Sequence, residues 1–285
     1  MIIEKNKRQF IREDLNIASW DDLKPYFENL SKREIHSKVD FEKWLSDRSE
    51  LDAVLEEDLA WRYIRMSIET NNEIRANAYT FFVTKIQPEL APLDDALNRK
   101  FMESPFRHDY DDQAHQIYFR SIETQVNLFQ EKNISIEAEL NELAQKYGAM
   151  SAAQSIEYGG ETLTMQKASQ LLKEQDEAVR KTVFDKIVER RRVDTEALDD
   201  LYTQLITKRH ALALNAGFQN FRDYKFQALG RFDYSKEDCF DFHHAIKTHI
   251  VPLVKEIQAK KLAITGEAKF KPWNTEVDPE GKAPL

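Results

Sequence analysis

No glycine occurs before Gly148, and no proline lies between Pro105 and Pro252. All-β folds need a turn roughly every 8–12 residues, and such turns draw on glycine, proline or Asn-Gly pairs. Stretches this long without punctuation are built from helices. An all-β fold is excluded, and a doubly wound α/β fold with glycine-rich phosphate loops nearly so. The chain reads as all-α, a bundle-like set of antiparallel helices. Its 285 residues fit one or two domains at about 150 residues each.

Charge narrows the partners. The 41 basic and 50 acidic side chains leave a net charge of −9, which argues against nucleic acid, because phosphate contacts need a basic surface. With 41% hydrophobic and 11% aromatic residues the chain can fill a core. The single cysteine, Cys239, excludes an internal disulfide or a CxxC metal site and fits a reducing compartment. The start, Met1 to Arg8, has no apolar stretch of signal-peptide length. The longest apolar run, Ile250 to Val254, contains a proline and falls far short of the ~20 residues of a membrane helix. The expectation is a soluble, cytoplasmic protein with no membrane partner.

Local signals place the elements. Ser19-x-x-Asp22 and Ser235-x-x-Asp238 resemble capping boxes, while Thr164, Asp176 and Asn220 precede apolar-periodic runs as N-caps. A short helix is expected over Asp40 to Leu45, and Ser49 is expected to cap a longer one. Asn71-Asn72 allows a break, and the helix from Ile74 to Ile86 is expected to end at Pro88 and Pro92. Ser104 to Asp112 reads as a loop. Gly148 is expected as a helix C-cap and Gly217 as another. Tyr158-Gly159-Gly160-Glu161 signals one small β-hairpin in the helical chain. Pro252 is expected to kink the last helix, whose apolar stripe runs through Phe242, Ile246, Ile250, Val254 and Ile257. Three regions follow: an amino-terminal helical region over 1–147, a hairpin with long helices packing on it over 148–265, and a connector over 266–285.

The chemistry-bearing residues assemble no familiar site. Seven histidines occur, at 36, 108, 115, 210, 243, 244 and 249. No pair has the i, i+4 spacing that puts two imidazoles on one helical face for zinc. They read as ordinary surface or interface residues. Cys239 and His243 are one turn apart, so a thiol–imidazole contact is geometrically open, yet Cys239 also falls on the apolar stripe with Phe242 and Ile246. Glu189-Arg190-Arg191-Arg192 is the one dense basic run and reads as a solvated helix C-terminus. The acidic pairs at 21–22, 56–57, 94–95, 111–112 and 199–200 carry no spacing diagnostic of paired-carboxylate chemistry. No catalytic, cofactor-binding or metal residue is assigned.

One ordered set of segments goes further. Gln166 to Arg180 is followed by Arg209 to Tyr224, then Arg231 to His243, then Lys271-Pro-Trp-Asn274. This order resembles the region preceding the catalytic domain in the oligoendopeptidase F family, zinc metallopeptidases related to thimet oligopeptidase. Ser19-Trp-Asp-Asp22 and Asp58 to Ile64 resemble that family's amino-terminal helices. The resemblance implies peptide hydrolysis by a zinc held on an HExxH helix with a further glutamate, the metal lowering the pKa of its bound water. No HExxH occurs in this sequence, so the resemblance carries no ligand or catalytic role onto any residue here.

The resemblance therefore implies the amino-terminal portion of a longer peptidase, forming one wall of a channel that admits short peptides. Zinc would belong to the parent, with no cofactor in this chain, and the chain alone would be inactive. Apolar surface left bare by the missing half would promote self-association. Two alternatives stay open: a self-sufficient helical scaffold or peptide-binding module, and a divergent enzyme using Cys239 and His243.

Overall fold

A computed structural model describes residues 7–110 and 112–282. The start through Asn6, where no signal peptide is expected, Asp111 of the expected loop, and residues 283–285 of the expected connector lie outside the described residues. The described residues are mostly helical, with one two-stranded hairpin among them, as the spacing of glycine and proline predicts. The helices are α1 (Lys24–Lys32), α2 (Lys38–Ile68), α3 (Glu73–Phe81), α4 (Gln87–Glu103), α5 (Gln113–Leu128) and α6 (Ile134–Ala152). After strands β1 (Ser155–Tyr158) and β2 (Glu161–Thr164) come α7 (Met165–Gln170), α8 (Glu177–Val193) and α9 (Thr195–Asn215). Then follow α10 (Phe221–Ala228), α11 (Lys236–Ala245) and α12 (Val251–Thr265).

The chain divides into two compact units. One runs through Ala149 and includes Thr203–Gly230; the other takes Met150–Tyr202 and continues from Arg231.

The first unit is centred on aromatic side chains of α2 and α4. Phe41, Trp44 and Phe101 are fully buried, and Phe41 stacks on Phe101 with ring centroids 5.6 Å apart. Burying each such ring contributes on the order of 1.5–3 kcal/mol. The Trp44 Nε1–H donates to the Leu30 carbonyl at 2.9 Å, which avoids leaving a polar group unsatisfied in the core. Lys100 of α4 serves the end of α1, where carbonyls lack helical donors. Its Nζ donates to Leu30 O at 2.8 Å, Ser31 O at 2.9 Å and Arg33 O at 2.5 Å. A second cluster joins Leu128, Leu212, Ala213 and Tyr224. Asn133 fastens α9 there, donating from Nδ2 to Leu212 O at 3.1 Å and accepting from Asn215 at 2.7 Å.

The second unit packs the hairpin and α7 on α8 around Ile156, Ala168, Val183 and Ile187. β1 and β2 are antiparallel, with Tyr158 opposite Glu161. Gly159 and Gly160 turn at φ 62° and 84°, the pair of positive values that a type I′ turn demands.

Several predicted boundaries hold as local chemistry. Thr164 accepts from Lys167 N, Asp176 from Ala178 N, Asn220 from Asp223 N and Ser235 from Asp238 N. Others shift. The short helix at Asp40 and the one expected from Ser49 are a single helix, α2. Ser37 caps it, accepting from Asp40 N at 3.2 Å. Asp47 sits mid-helix, buried, and is held by Arg33 at 2.6 Å and Lys43 at 2.5 Å, so nothing there interrupts the turn. Gly148 does not cap: α6 continues to Ala152, a glycine costing a helix only about 1 kcal/mol.

The prolines are accommodated in the same way twice. Pro88 and Pro252 each lie two residues after a π turn, Phe82–Ile86 and Ile246–Ile250 respectively. A proline ring clashes with the carbonyl four residues back, here Thr84 or Thr248, and a wider turn moves that carbonyl aside. The helical path therefore runs through Pro88 and Pro92 instead of ending at them. The stretch after Gly266, expected as a connector, folds back within the second unit. It makes a short 3-10 turn at Pro272–Asn274, and Asn274 and Val277 are buried.

Candidate functional site

The clearest concave feature is a cavity of about 810 Å³ lying wholly within the first unit, with walls from α2, α4, α5, α6, α9 and α10. At its α2–α4 side sits Arg48, only 3% exposed. Its Nη2 donates to Asn98 Oδ1 at 2.5 Å and Asp94 Oδ1 at 3.1 Å. Its Nε lies 3.6 Å from Asp52 Oδ2, an ion pair too long to be a hydrogen bond. Nε and Nη1 are buried with no hydrogen-bond partner among the described residues. Buried N–H groups of a charged side chain are rarely left so, because desolvation is costly without an acceptor.

Three carboxylates, Asp52, Glu56 and Asp94, line this side against the single cation of Arg48. Desolvation by the cavity wall pushes Asp52 up to about 6, and the negative charges of Asp94 and Glu56 add to the rise while Arg48 opposes it. Asp52 keeps 41% of its side-chain surface exposed, so it faces the opening. Tyr118 is raised by burial, with Arg48 opposing and Asp52 and Asp94 adding. At the α6–α9–α10 side the composition reverses, with Arg209 and Lys225 against Glu137. Desolvation raises the Glu137 pKa and Lys225 pulls it back. Carboxylates, a guanidinium, an amine and amides thus line one recess, groups able to pair with charge of either sign.

None of the cavity residues was singled out from the sequence as a site. The signal lay in Arg48 and Asp52 at i, i+4, a spacing shared by ordinary exposed helix pairs. Asp94, 46 residues from Arg48, joins them only through the fold.

Of the residues weighed for chemistry, Glu56 and Asp94 of the acidic pairs line the cavity, while the histidines and Cys239 do not. Six histidines are exposed and His115 is half-buried. His36 pairs with Glu34 at 2.8 Å and His115 with Asp112 at 2.5 Å, both local contacts. Among the described residues no three His, Cys, Asp or Glu side chains group as a metal would require. Cys239 is a half-buried free thiol; its stripe is not a core stripe, since Phe242 is 64% exposed and Ile246 alone of Phe240 to Lys260 is partly covered. The Arg190–Arg192 run closes α8, where Arg190 pairs with Asp194 at 2.8 Å. No described helix is long and apolar enough to cross a membrane.

Comparisons with known proteins bear on this architecture. The model of the Peptidase M3 N-terminal domain matches residues 10–129, and the model of Peptidase family M3 matches residues 170–280. No curated protein matches the sequence. Among solved structures, a 3.1 Å X-ray structure described as an oligoendopeptidase F is similar at 24% identity and TM-score 0.88, over 96% of this chain and 49% of that one. PZ peptidase A with an inhibitor is 23% identical, with TM-score 0.87 over 96% of this chain and 49% of its own. An oligoendopeptidase F from Bacillus anthracis str. Ames is 19% identical, with TM-score 0.87 over 96% and 51%. At such identities the likeness is one of fold. The chain spans about half the length of these structures.

Proposed function

The chain belongs to peptidase family M3, and from that premise we propose that it is the amino-terminal half of an oligoendopeptidase-like zinc metallopeptidase acting on short peptides. The observation that carries the reading is the bare apolar surface of α11 and α12. Every residue from Phe240 to Lys260 except Ile246 is exposed, among them Phe242, Leu253, Val254 and Ile257. This segment falls inside the match to the peptidase family model. A helix keeps a large apolar surface when another body covers it, and a contiguous patch of this kind marks an interface. In the proposed parent, the catalytic half is that body.

Zinc and the water it activates would sit in that half, on an HExxH helix. The part of the present chain is to scaffold and to confine short peptides, in a soluble cytoplasmic enzyme. The 285-residue chain, supplied with zinc and a quenched fluorescent peptide, then gives no hydrolysis. Chelator-sensitive cleavage by this chain alone overturns the reading. A coding sequence with an HExxH helix downstream supports it.

A further inference from the structure

The Lys271-Pro-Trp-Asn274 segment bonds to two helices of the second unit at once. Toward α8, Lys271 Nζ and Trp273 Nε1 both donate to Glu177 Oε1, at 2.6 and 3.0 Å, and Asn274 Oδ1 accepts from Arg180. Toward α12, Asn274 Nδ2 donates to Glu267 Oε1, and Lys271 Nζ stands 3.3 Å from the same oxygen. Lys261, near the end of α12, donates from Nζ to the carbonyls of Thr275 and Val277 at 2.9 and 2.7 Å. These carbonyls lie outside any helix, and an ammonium with three donors suits them.

The turn is stiff. Pro272 fixes φ at the first position of the 3-10 turn, and Asn274 and Val277 are buried. Gly266 ends α12 in the left-handed conformation at φ 70°, which reverses the chain and brings Glu267 back to Asn274. Fastening the segment to α8 needs only the bonds to Arg180 and Glu177. The bonds from Lys261 and to Glu267 go to the base of α12 instead.

That helix has little else to direct it. From Phe240 to Lys260 only Ile246 is partly covered, so side-chain packing does not set the direction of α11 and α12. Together they span Lys236 to Thr265, about 45 Å at 1.5 Å per residue. A change of about 10° at the base then moves the far end by about 8 Å.

We propose that Lys261, Glu267 and Asn274 form a positioning joint. It sets the angle at which α11 and α12 stand to α8, and so presents their apolar face already oriented to the half that covers it. Pre-orientation removes an ordering cost from docking. The joint rests on the second unit alone; its use in docking rests on the peptidase reading.

Double electron–electron resonance on the 285-residue chain tests it. Spin labels go at Glu189→Cys on α8 and Gln258→Cys on α12, both exposed, in a Cys239→Ser background. The otherwise unaltered chain gives one narrow distance distribution. Lys261→Met keeps the stem, removes the donor and broadens the distribution about twofold, as the arm samples several directions. Lys261→Arg keeps a donor and keeps it narrow. Asn274→Asp retains the acceptor for Arg180 but sets a carboxylate against Glu267, and broadens it too. A control pair, Glu161→Cys with Glu189→Cys, stays narrow throughout, which tells a freed arm from an unfolded unit. A distribution already broad without these changes, one that Lys261→Met leaves unchanged, or a control pair that broadens equally overturns the proposal. A coding sequence with no HExxH helix downstream overturns the peptidase reading and the docking use, while the distances still report the joint.

Discussion

Arg180 and Asn274, ninety-four residues apart, are joined by two hydrogen bonds: Nε and Nη2 of the guanidinium donate to Asn274 Oδ1 at 3.0 and 2.8 Å. The remaining Arg180 donor, Nη1, is spent on the carbonyls of Glu174 and Gln175 at 2.6 and 2.9 Å. Both residues are buried. The asparagine amide in turn donates to Glu267, while Trp273 donates from Nε1 to Glu177 at 3.0 Å and packs on Phe184. The stretch after Gly266 is thus fixed to α8 by a buried polar hub. Asn274→Ala strands two guanidinium N–H groups, and the expected loss is about 1–3 kcal/mol in urea unfolding. Asn274→Asp keeps the acceptor and loses less. Equal midpoints for the alanine variant and the parent chain would show that the stretch is not fastened this way.

Gly148 and Gly159 place opposite demands on the backbone. Gly148 lies inside α6 with helical backbone, and a Cβ there meets nothing within 4 Å. Gly148→Ala is expected to stabilise by about 0.5–1 kcal/mol, through helix propensity and a less free unfolded chain. Gly159 stands at φ +62° in the hairpin turn. A side chain there is strained despite the open space, so Gly159→Ala destabilises by about 1 kcal/mol. Denaturant midpoints for the two variants should move in opposite directions.

This contrast locates what is legible in the sequence. Caps at Thr164, Asp176, Asn220 and Ser235 are decided by a side chain and a backbone N–H two or three residues on, so they can be read locally. So can the Gly159-Gly160 turn. The continuity of α2 through Ser49 is not local: it follows from Asp47 being buried and held by Arg33 of another segment. The run through Pro88 depends on a π turn that no periodicity reveals. Family membership was legible through the order of helix-packing segments. The cavity was not, because Arg48, Asp94 and Lys225 become neighbours of one space only after α2, α4 and α10 pack.

Glu50 is a second, half-buried anchor with a pH signature. Its carboxylate accepts from the backbone N–H groups of Gln9, Phe10 and Ile11 at 2.8, 2.9 and 2.7 Å. Desolvation raises its pKa, but the three donors outweigh it and the net shift is downward. A carboxyl whose folded pKa lies below its unfolded value, about 4.3, contributes stability above that value and loses it as pH falls through the folded pKa. Glu50→Gln removes the contribution at neutral pH. Its stability deficit relative to the parent should shrink on acidification below pH 4. Hydrogen exchange at Phe10 and Ile11 should accelerate in the variant.

Asp52 has the opposite sign. Its folded pKa is pushed up to about 6, against about 3.9 unfolded. Between those values the native state binds more protons than the unfolded chain, so this residue makes stability fall as pH rises from 4 to 6 and leaves it lower above. Asp52→Asn is expected to stabilise the free protein at pH 7 and to flatten that slope, with the gain moderated by the group's solvent exposure. An Asp52 carboxyl signal titrating near 4 in NMR would remove the basis for this expectation.

The surface of α11 and α12 makes the last prediction. Phe242 is 64% and Ile257 57% exposed, on a helical stretch in which Phe240 to Lys260 offer solvent nearly every side chain. Water contact with that much apolar area is unfavourable by about 25 cal/mol per Å², and a second copy of the chain is the partner at hand in a purified sample. The 285-residue chain is therefore expected to self-associate with rising concentration and to bind an apolar dye. Phe242→Ser with Ile257→Ser should reduce both, at little cost in thermal stability, since neither side chain is in a core. Light scattering that shows a monomer across the millimolar range, or variants that associate as the parent does, would place the interface elsewhere. Addition of a separately produced catalytic half should suppress the self-association of the parent chain and leave the double variant unaffected.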